Sequence, residues 1–348
     1  MTFYQELQLN QAGSKALIRK ASGKKEKIRH TGIYLFKILL TLAFCVAFVS
    51  VYSAVFGSGN SIVGVLVLLC LMVFRFADFG IQVRGGIGAL ALIFVVLAAG
   101  PRAAHLLGGA GGFLINGVCI FALLFLGCHQ IMMANHSTLV LGYLLLYGYD
   151  VAGFEYRMRL VGLAAGMVMT MIVYYRNHRK QTYKRNFFSL FREFHPGALR
   201  TRWQISMALA AASAVFFAEC LGMPRAMWAG IAVMSVTTPF ETDMKERVRD
   251  RIAGNLAGAA VFAIAFCFLP GDLLPYVGII GGFGVGLSAT YRWQTIFNSF
   301  GAMSVAAGLI GLPGAVIFRI LHNFLGAVYG KLFFRGWNRF TDLCAAKR

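Results

Sequence analysis

The stretch Pro239–Phe262, "PFETDMKERVRDRIAGNLAGAAVF", decides how this chain is read. Eight of the eleven residues from Glu241 to Arg251 are charged, in a chain where only 13% of residues are. After Arg251 no charge follows until Asp272, and the run between is apolar and spaced by glycines. A dense charged block that stops at a long uncharged segment marks the edge of a membrane, where ionic groups stay in water. If Thr242–Asn255 is helical, then Asp243, Arg247, Arg251 and Gly254 or Gly258 share one face. Glu241–Lys245 and Asp243–Arg247 are acid-first pairs four residues apart, the favoured order. Arg251 stands at the junction, where a guanidinium either snorkels to the interface or takes a carboxylate bidentately.

The rest of the composition agrees with a membrane setting. Of the 348 residues 58% are hydrophobic and 40 are glycine, whereas a soluble domain needs about 25% charged residues. Charges and turns divide the chain into about twelve apolar runs. In the first half these lie near 33–56, 61–76, 85–100, 106–128, 130–149 and 158–175; in the second, near 203–219, 226–240, 250–269, 273–290, 293–312 and 315–334. Several are short for a bilayer and are expected to tilt, or to cross only when packed in pairs. The seven cysteines (Cys45, Cys70, Cys119, Cys128, Cys220, Cys267, Cys344) stand singly, which suits small buried hydrophobes rather than disulfides or metal ligands.

Lys and Arg set the orientation. With both termini in the cytoplasm, 27 of the 33 basic residues fall in inner segments, as the positive-inside rule requires. The net charge of +20 then faces an anionic leaflet, and no nucleic-acid-binding motif accompanies it. The organisation expected is a basic cytoplasmic tail (1–32), a first six-span block (33–175), a basic cytoplasmic linker (176–202), a second six-span block (203–334) and a short tail (335–348). The linker's "RNFFSLFREFHPG" is either a short amphipathic helix on the membrane or a tether.

The two blocks repeat weakly at an offset of 160 to 165. Asp78-x4-Val83-Arg84-x2-Ile87 matches Asp243-x4-Val248-Arg249-x2-Ile252; Arg159-x6-Gly166 matches Arg319-x6-Gly326; Lys37 corresponds to Arg202. Six spans per block insert both the same way, giving a parallel repeat. The expected fold is an all-α polytopic membrane protein of about twelve transmembrane helices, arranged as two parallel six-helix repeats in a pseudo-dimer. Gly162/Gly166, Gly254/Gly258, Gly282/Gly286 and Gly326/Gly330 each place glycines on one helix face, the usual device for close packing in lipid.

"MWAGIAVMSV" (227–236), Pro239, the charged turn and Arg251-Ile252-Ala253-Gly254-Asn255-Leu256-Ala257-Gly258 together resemble the fusaric acid resistance, or aromatic acid exporter, family. That family carries a Trp-led apolar span, a Pro-bearing charged turn and then Arg-x-x-Gly-Thr-x-x-Gly; here Asn255 replaces the Thr. The first-half segment "DFGIQVRGGIGALAL" (78–92) keeps the Asp and Arg but lacks the Trp and the full glycine motif. The six-span unit is also similar to that of plant aluminium-activated malate transporters. The resemblance implies an inner-membrane exporter of organic anions such as aromatic carboxylates. A passive anion channel, or a membrane subunit working only with a periplasmic adaptor, remains open beside it, as does homo-oligomerisation.

An anion crossing a low-dielectric path needs cationic or dipolar partners. The substrate candidates are Arg251, Lys37, Arg84, Arg159, Arg202 and Arg319, with Arg75 in reserve. Interfacial anchoring is the competing reading for Lys37, Arg159 and Arg319. Proton coupling would need a titratable group at depth, for which Asp78, Asp243, His136 and His322 are the candidates. Each of the two histidines has an Asn neighbour, which equally suits a helix–helix hydrogen bond. No hydrolase, metalloprotease, phosphate-loop or dinucleotide motif is present, so neither an enzyme, a cofactor nor a metal is expected. The orientation is checkable: a reporter active only in the cytoplasm should work when fused after Arg348 and fail when inserted at 222–225.

Overall fold

The computed structural model describes residues 2–270, 273 and 276–346. Its regular structure is helical, with no strand among the described residues. In chain order the helices are α1 (Phe3–Gln8), α2 (Gln11–Lys20), α3 (Lys24–Phe56), α4 (Ser61–Val73), α5 (Val83–Leu107), α6 (Gly109–Gly127), α7 (His136–Gly148), α8 (Gly153–His178), α9 (Ser189–Arg192), α10 (Leu199–Cys220), α11 (Met227–Val236), α12 (Glu241–Phe268), α13 (Val277–Leu287) and α14 (Tyr291–Ala346). Seven of them (α3, α5, α6, α8, α10, α12 and α14) are long and apolar enough to cross a bilayer, and shorter apolar helices lie at 58–73, 227–236 and 277–287. The chain is therefore an all-α, multi-pass membrane protein.

Local chemistry explains the boundaries. The apolar run begins at residue 33, but α3 starts at Lys24, because Glu26 accepts the Ser22 N–H (3.0 Å) and closes the first turn. Residues 3–20 form two capped helices, with Asn10 accepting the Gly13 N–H at 2.7 Å to start α2. Gly57, at φ 94°, ends α3. α14 is broken at Gly311 (φ 72°), two residues before Pro313, so its two parts are distinct helical segments. The charged block that opened the analysis continues as one helix, α12, into the apolar run. The Glu241–Lys245 pair lies outside the described side chains.

Two compact units are formed: Met1–Ala47 with Arg249–Leu321, and Phe48–Val248 with His322–Arg348. Each takes residues from both of the blocks 33–175 and 203–334. In the second unit α6 packs on α5 and α10, α7 on α5 and α11, and α8 on α4 and α5, around the fully buried Trp203, Trp228, Tyr143 and Tyr174. In the first unit α14 packs on α12 at Gly254 and Gly258 and on α13 at Gly281. Along α3 the large apolar side chains Leu39, Leu40 and Phe44 are exposed, as a lipid-facing helix requires.

The paired glycines sit at close helix contacts. A Cβ on Gly254 would lie 1.8 Å from Thr295 Oγ1, and one on Gly258 2.6 Å from the Ile296 carbonyl, so α12 and α14 touch backbone to backbone. Gly166 makes room for the Val67 side chain, Gly162 lies against Tyr52 and Phe56, and Gly326 and Gly330 face α11 at Ala229 and Val233. Gly258→Val should therefore destabilise by about 2 kcal/mol in a thermal-unfolding assay, while Gly308→Ala, with nothing within 4 Å of its Cβ position, should leave the midpoint in place. Equal midpoints for the two variants would mean that α12 and α14 are not in contact.

Candidate anion-binding site

The α12–α14 contact inside the first unit carries a polar strip. Arg251 is buried, 6% exposed. Its Nη1 donates one long bond to Tyr291 Oη, 3.3 Å, and its Nε has no hydrogen-bond partner. One turn along, Asn255 Nδ2 donates to the Arg251 carbonyl (2.9 Å), and Ser299 Oγ lies 2.9 Å from Asn255 Oδ1, its proton shared with the Thr295 carbonyl. Thr295 Oγ1 donates to the Arg292 carbonyl at 2.8 Å. The close approach at Gly254 and Gly258 makes the strip possible, since a side chain at either would hold Asn255 and Ser299 apart. No carboxylate pairs with Arg251 among the described residues. A buried guanidinium with one weak neutral contact retains most of its capacity to bind an oxyanion.

The other predicted cations are placed differently. Arg159, 3% exposed, donates through Nε to Asn60 Oδ1 (3.0 Å), through Nη1 to the Leu146 carbonyl (3.3 Å), and through Nη2 to the Tyr149 and Gly59 carbonyls (2.7 and 3.3 Å). It clamps the end of α7 and the turn before α4 onto α8. Lys37 Nζ donates to the Leu9 carbonyl (2.9 Å) and to Ser14 Oγ (2.7 Å), and lies 5.1 Å over the Tyr34 ring. Arg202 joins the start of α10 to the end of α14 through the Asn338 carbonyl at 3.0 Å and through Thr341 and Asp342. Arg84 is exposed at the head of α5, Arg319 is buried in α14, and Arg75 stacks on Phe76.

The proton candidates also separate. Asp78 is buried and accepts from the Gly80 N–H (2.8 Å) and the Tyr183 hydroxyl (2.9 Å), while Asn135 caps its carbonyl (3.1 Å). Asp243, its counterpart in the sequence repeat, is exposed. His136 is buried edge-on to Trp203 (5.2 Å), and its Nδ1 has no hydrogen-bond partner. His322 Nε2 lies 2.8 Å from the Pro224 carbonyl and donates to it. Nearby loops add groups that the sequence reading did not place. His129 meets Glu193 Oε2 at 3.1 Å, and burial, aided by the adjacent Arg200, pulls it down to about 4. Burial and the neighbouring Asp78 carboxylate push the Tyr183 phenol up. Tyr291, Thr295 and Ser299 were missed as well; the one hint was Asn255 in the Thr position, a side chain with more hydrogen-bonding groups to satisfy.

The described residues hold no cluster of His, Cys, Asp and Glu able to bind a metal ion. Residues 211–333 match the sequence model of the family described as fusaric acid resistance protein-like. That is a likeness over about a third of the chain. The match spans the latter part of α10, all of α11 to α13 and much of α14, and so contains Trp228, Arg251, Gly254, Gly258 and Ser299. No curated protein and no solved structure matches the chain. The family match lies in a chain with seven helices long and apolar enough to cross a bilayer, which agrees with a multi-pass membrane protein.

Arg159 and Arg251 should respond differently to substitution. Arg159→Lys keeps the charge but cannot reach four acceptors on three sides, so a loss of about 2–4 kcal/mol is expected in thermal unfolding. A variant as stable as the parent would show that the four bonds do not hold the fold.

Proposed function

We propose that this fusaric acid resistance-like protein exports organic anions, aromatic carboxylates among them, across the bacterial cytoplasmic membrane, with both termini inside. The observation that carries the reading is Arg251. It is buried within the family-matched segment, beside a glycine contact, and it retains an Nε without a partner and only one long bond. By contrast, Lys37 and Arg159 spend their donors on acceptors of their own fold, and Arg202, whose Nε is likewise without a hydrogen-bond partner, is ion-paired with Asp342. In this reading Arg251 receives the carboxylate, Asn255 and Ser299 keep its helix in register, and the other three cations are structural. Arg84 at the exposed head of α5 and Arg319 in α14 serve as accessory cations. The basic tail and linker meet anionic lipid.

The same proposal treats the chain as two six-segment blocks. The Gly311 break supports it, because it divides α14 into two segments and brings the helices from α10 onward to six. Proton coupling belongs to Asp78 and His136, buried groups without an ion-pair partner among the described residues, rather than to the exposed Asp243.

Uptake of labelled benzoate into inside-out vesicles tests the reading. The parent should accumulate benzoate, a protonophore should abolish accumulation, and Arg251→Ala should lower flux about 10- to 100-fold, the worth of a charge-assisted hydrogen bond, with unfolding temperature unchanged. Arg251→Ala flux equal to the parent's would sink the assignment. Downhill flux that survives the protonophore would replace coupled export by a passive channel, and absent flux restored by a periplasmic adaptor would replace it by a partnered subunit.

A further inference from the structure

The linker 176–202 carries eight Lys and Arg and a single acid, Glu193. That acid is consumed inside the fold. Its Oε1 accepts from Arg185 Nε at 2.8 Å, its Oε2 meets His129 Nε2 at 3.1 Å, and its carbonyl accepts from Arg200 Nη2 at 3.0 Å. Two more bonds fasten the linker to the loop before α5. Tyr183 Oη donates to Asp78 Oδ2 (2.9 Å), and the Gln82 N–H donates to the Arg185 carbonyl (2.8 Å). Leu190 is buried, and a Cβ on Gly85 would stand 3.1 Å from the Phe187 nitrogen. A segment fastened at Asp78, Gln82, Gly85 and His129 is docked; it is not a loose tether.

What the docked linker leaves uncovered is apolar and cationic. Phe188, Phe191 and Phe194 are 66%, 56% and 38% exposed. Their position follows from α6, a helix long and apolar enough to cross a bilayer. Along it Leu114, Val118, Phe121 and Phe125 recur at helical spacing on one face, the first two exposed and the two rings half-buried. Phe191 stands 5.1 Å from Phe125, and Phe194 stands 5.8 Å from Phe125 and 6.2 Å from Phe121. The apolar stripe of a membrane helix thus runs past the helix end at Gly127 onto the linker. In the same segment Arg179, Lys180, Lys184 and Arg192 are exposed and have no acidic partner among the described residues. Three bare rings in line with a lipid-facing stripe, accompanied by cations and no free acid, match the layer where acyl chains meet anionic headgroups. A soluble acidic partner would answer the charges but not the continuity of the stripe.

We propose that residues 184–194 form a membrane-surface anchor, in which Phe188, Phe191 and Phe194 enter the bilayer boundary and Lys184 and Arg192 hold the phosphates of anionic phospholipids. The anchor takes its cytoplasmic side from the export reading, but its binding is measurable without transport. Phe188→Cys and Lys184→Cys are each treated with a water-soluble maleimide, in the purified full chain in phosphatidylglycerol nanodiscs. Peptide mass spectrometry separates these sites from the native cysteines. Position 188 should react about tenfold or more slowly than position 184, as expected for an apolar site withdrawn from water. Both side chains are exposed in the fold, so neither substitution removes a buried contact. Equal reactivity at the two positions would overturn the proposal and leave this face to a protein partner.

The charge arm uses native mass spectrometry from micelles of equal phosphatidylglycerol and phosphatidylcholine. The parent should retain phosphatidylglycerol in preference. Lys184→Gln with Arg192→Gln should cut that preference about tenfold, each cation near an anionic surface contributing about fivefold. An unchanged preference in the folded double variant would sink the headgroup assignment. Absent benzoate flux with position 188 protected would sink export and leave the anchor standing; flux with position 188 freely reactive would do the reverse.

Discussion

Hydrocarbon offers no hydrogen bonds, so every polar group that enters it must find a partner within the protein. That constraint organises much of this molecule. Arg159 satisfies three carbonyls and an amide oxygen, Asn135 caps the carbonyls of Asp78 and Gly127, Trp203 caps Thr237, and Gln204 reaches Leu124. These carbonyls lie at helix ends and breaks, where the regular ladder leaves acceptors open. Long polar side chains therefore act as staples wherever a helix stops short of the bilayer's full width. Against this background Arg251, buried with a spare Nε and no carboxylate partner among the described residues, carries the functional reading.

The α12–α14 contact shows how much of such a site was legible beforehand. Gly254 and Gly258, the charge boundary at Arg251 and the odd Asn255 are all local features of one segment, and a helical reading places them on adjoining faces of one helix. Their partners were not legible. Tyr291, Thr295 and Ser299 lie some forty residues away in a run with no charge after Arg292, and spacing along one helix says nothing about which face of another it meets. Arg159 was misleading for the same reason: a basic residue near a span end looks like any other, and its four acceptors come from Gly59, Asn60, Leu146 and Tyr149, two of them about a hundred positions distant.

The helical architecture was readable from composition alone, because long uncharged runs in a charge-poor chain have no other stable form in lipid. Boundaries were less readable. Hydropathy marks where a segment is apolar, whereas helix ends follow capping groups such as Asn10 and Glu26 or backbone breaks such as Gly57 and Gly311. The N-terminal 32 residues, polar and basic, read as a tail, yet they fold because Glu6 is buried against His30 at 2.7 Å and against Arg29.

That packing bears on how the protein is made. Helices α1 and α2 leave the ribosome before α3, and they carry the Leu9 carbonyl and Ser14 hydroxyl that later hold Lys37. The ammonium group is thus tied down by residues that precede it in synthesis. The charge nearest the start of the first apolar run is then satisfied by a local fold contained within the first forty residues.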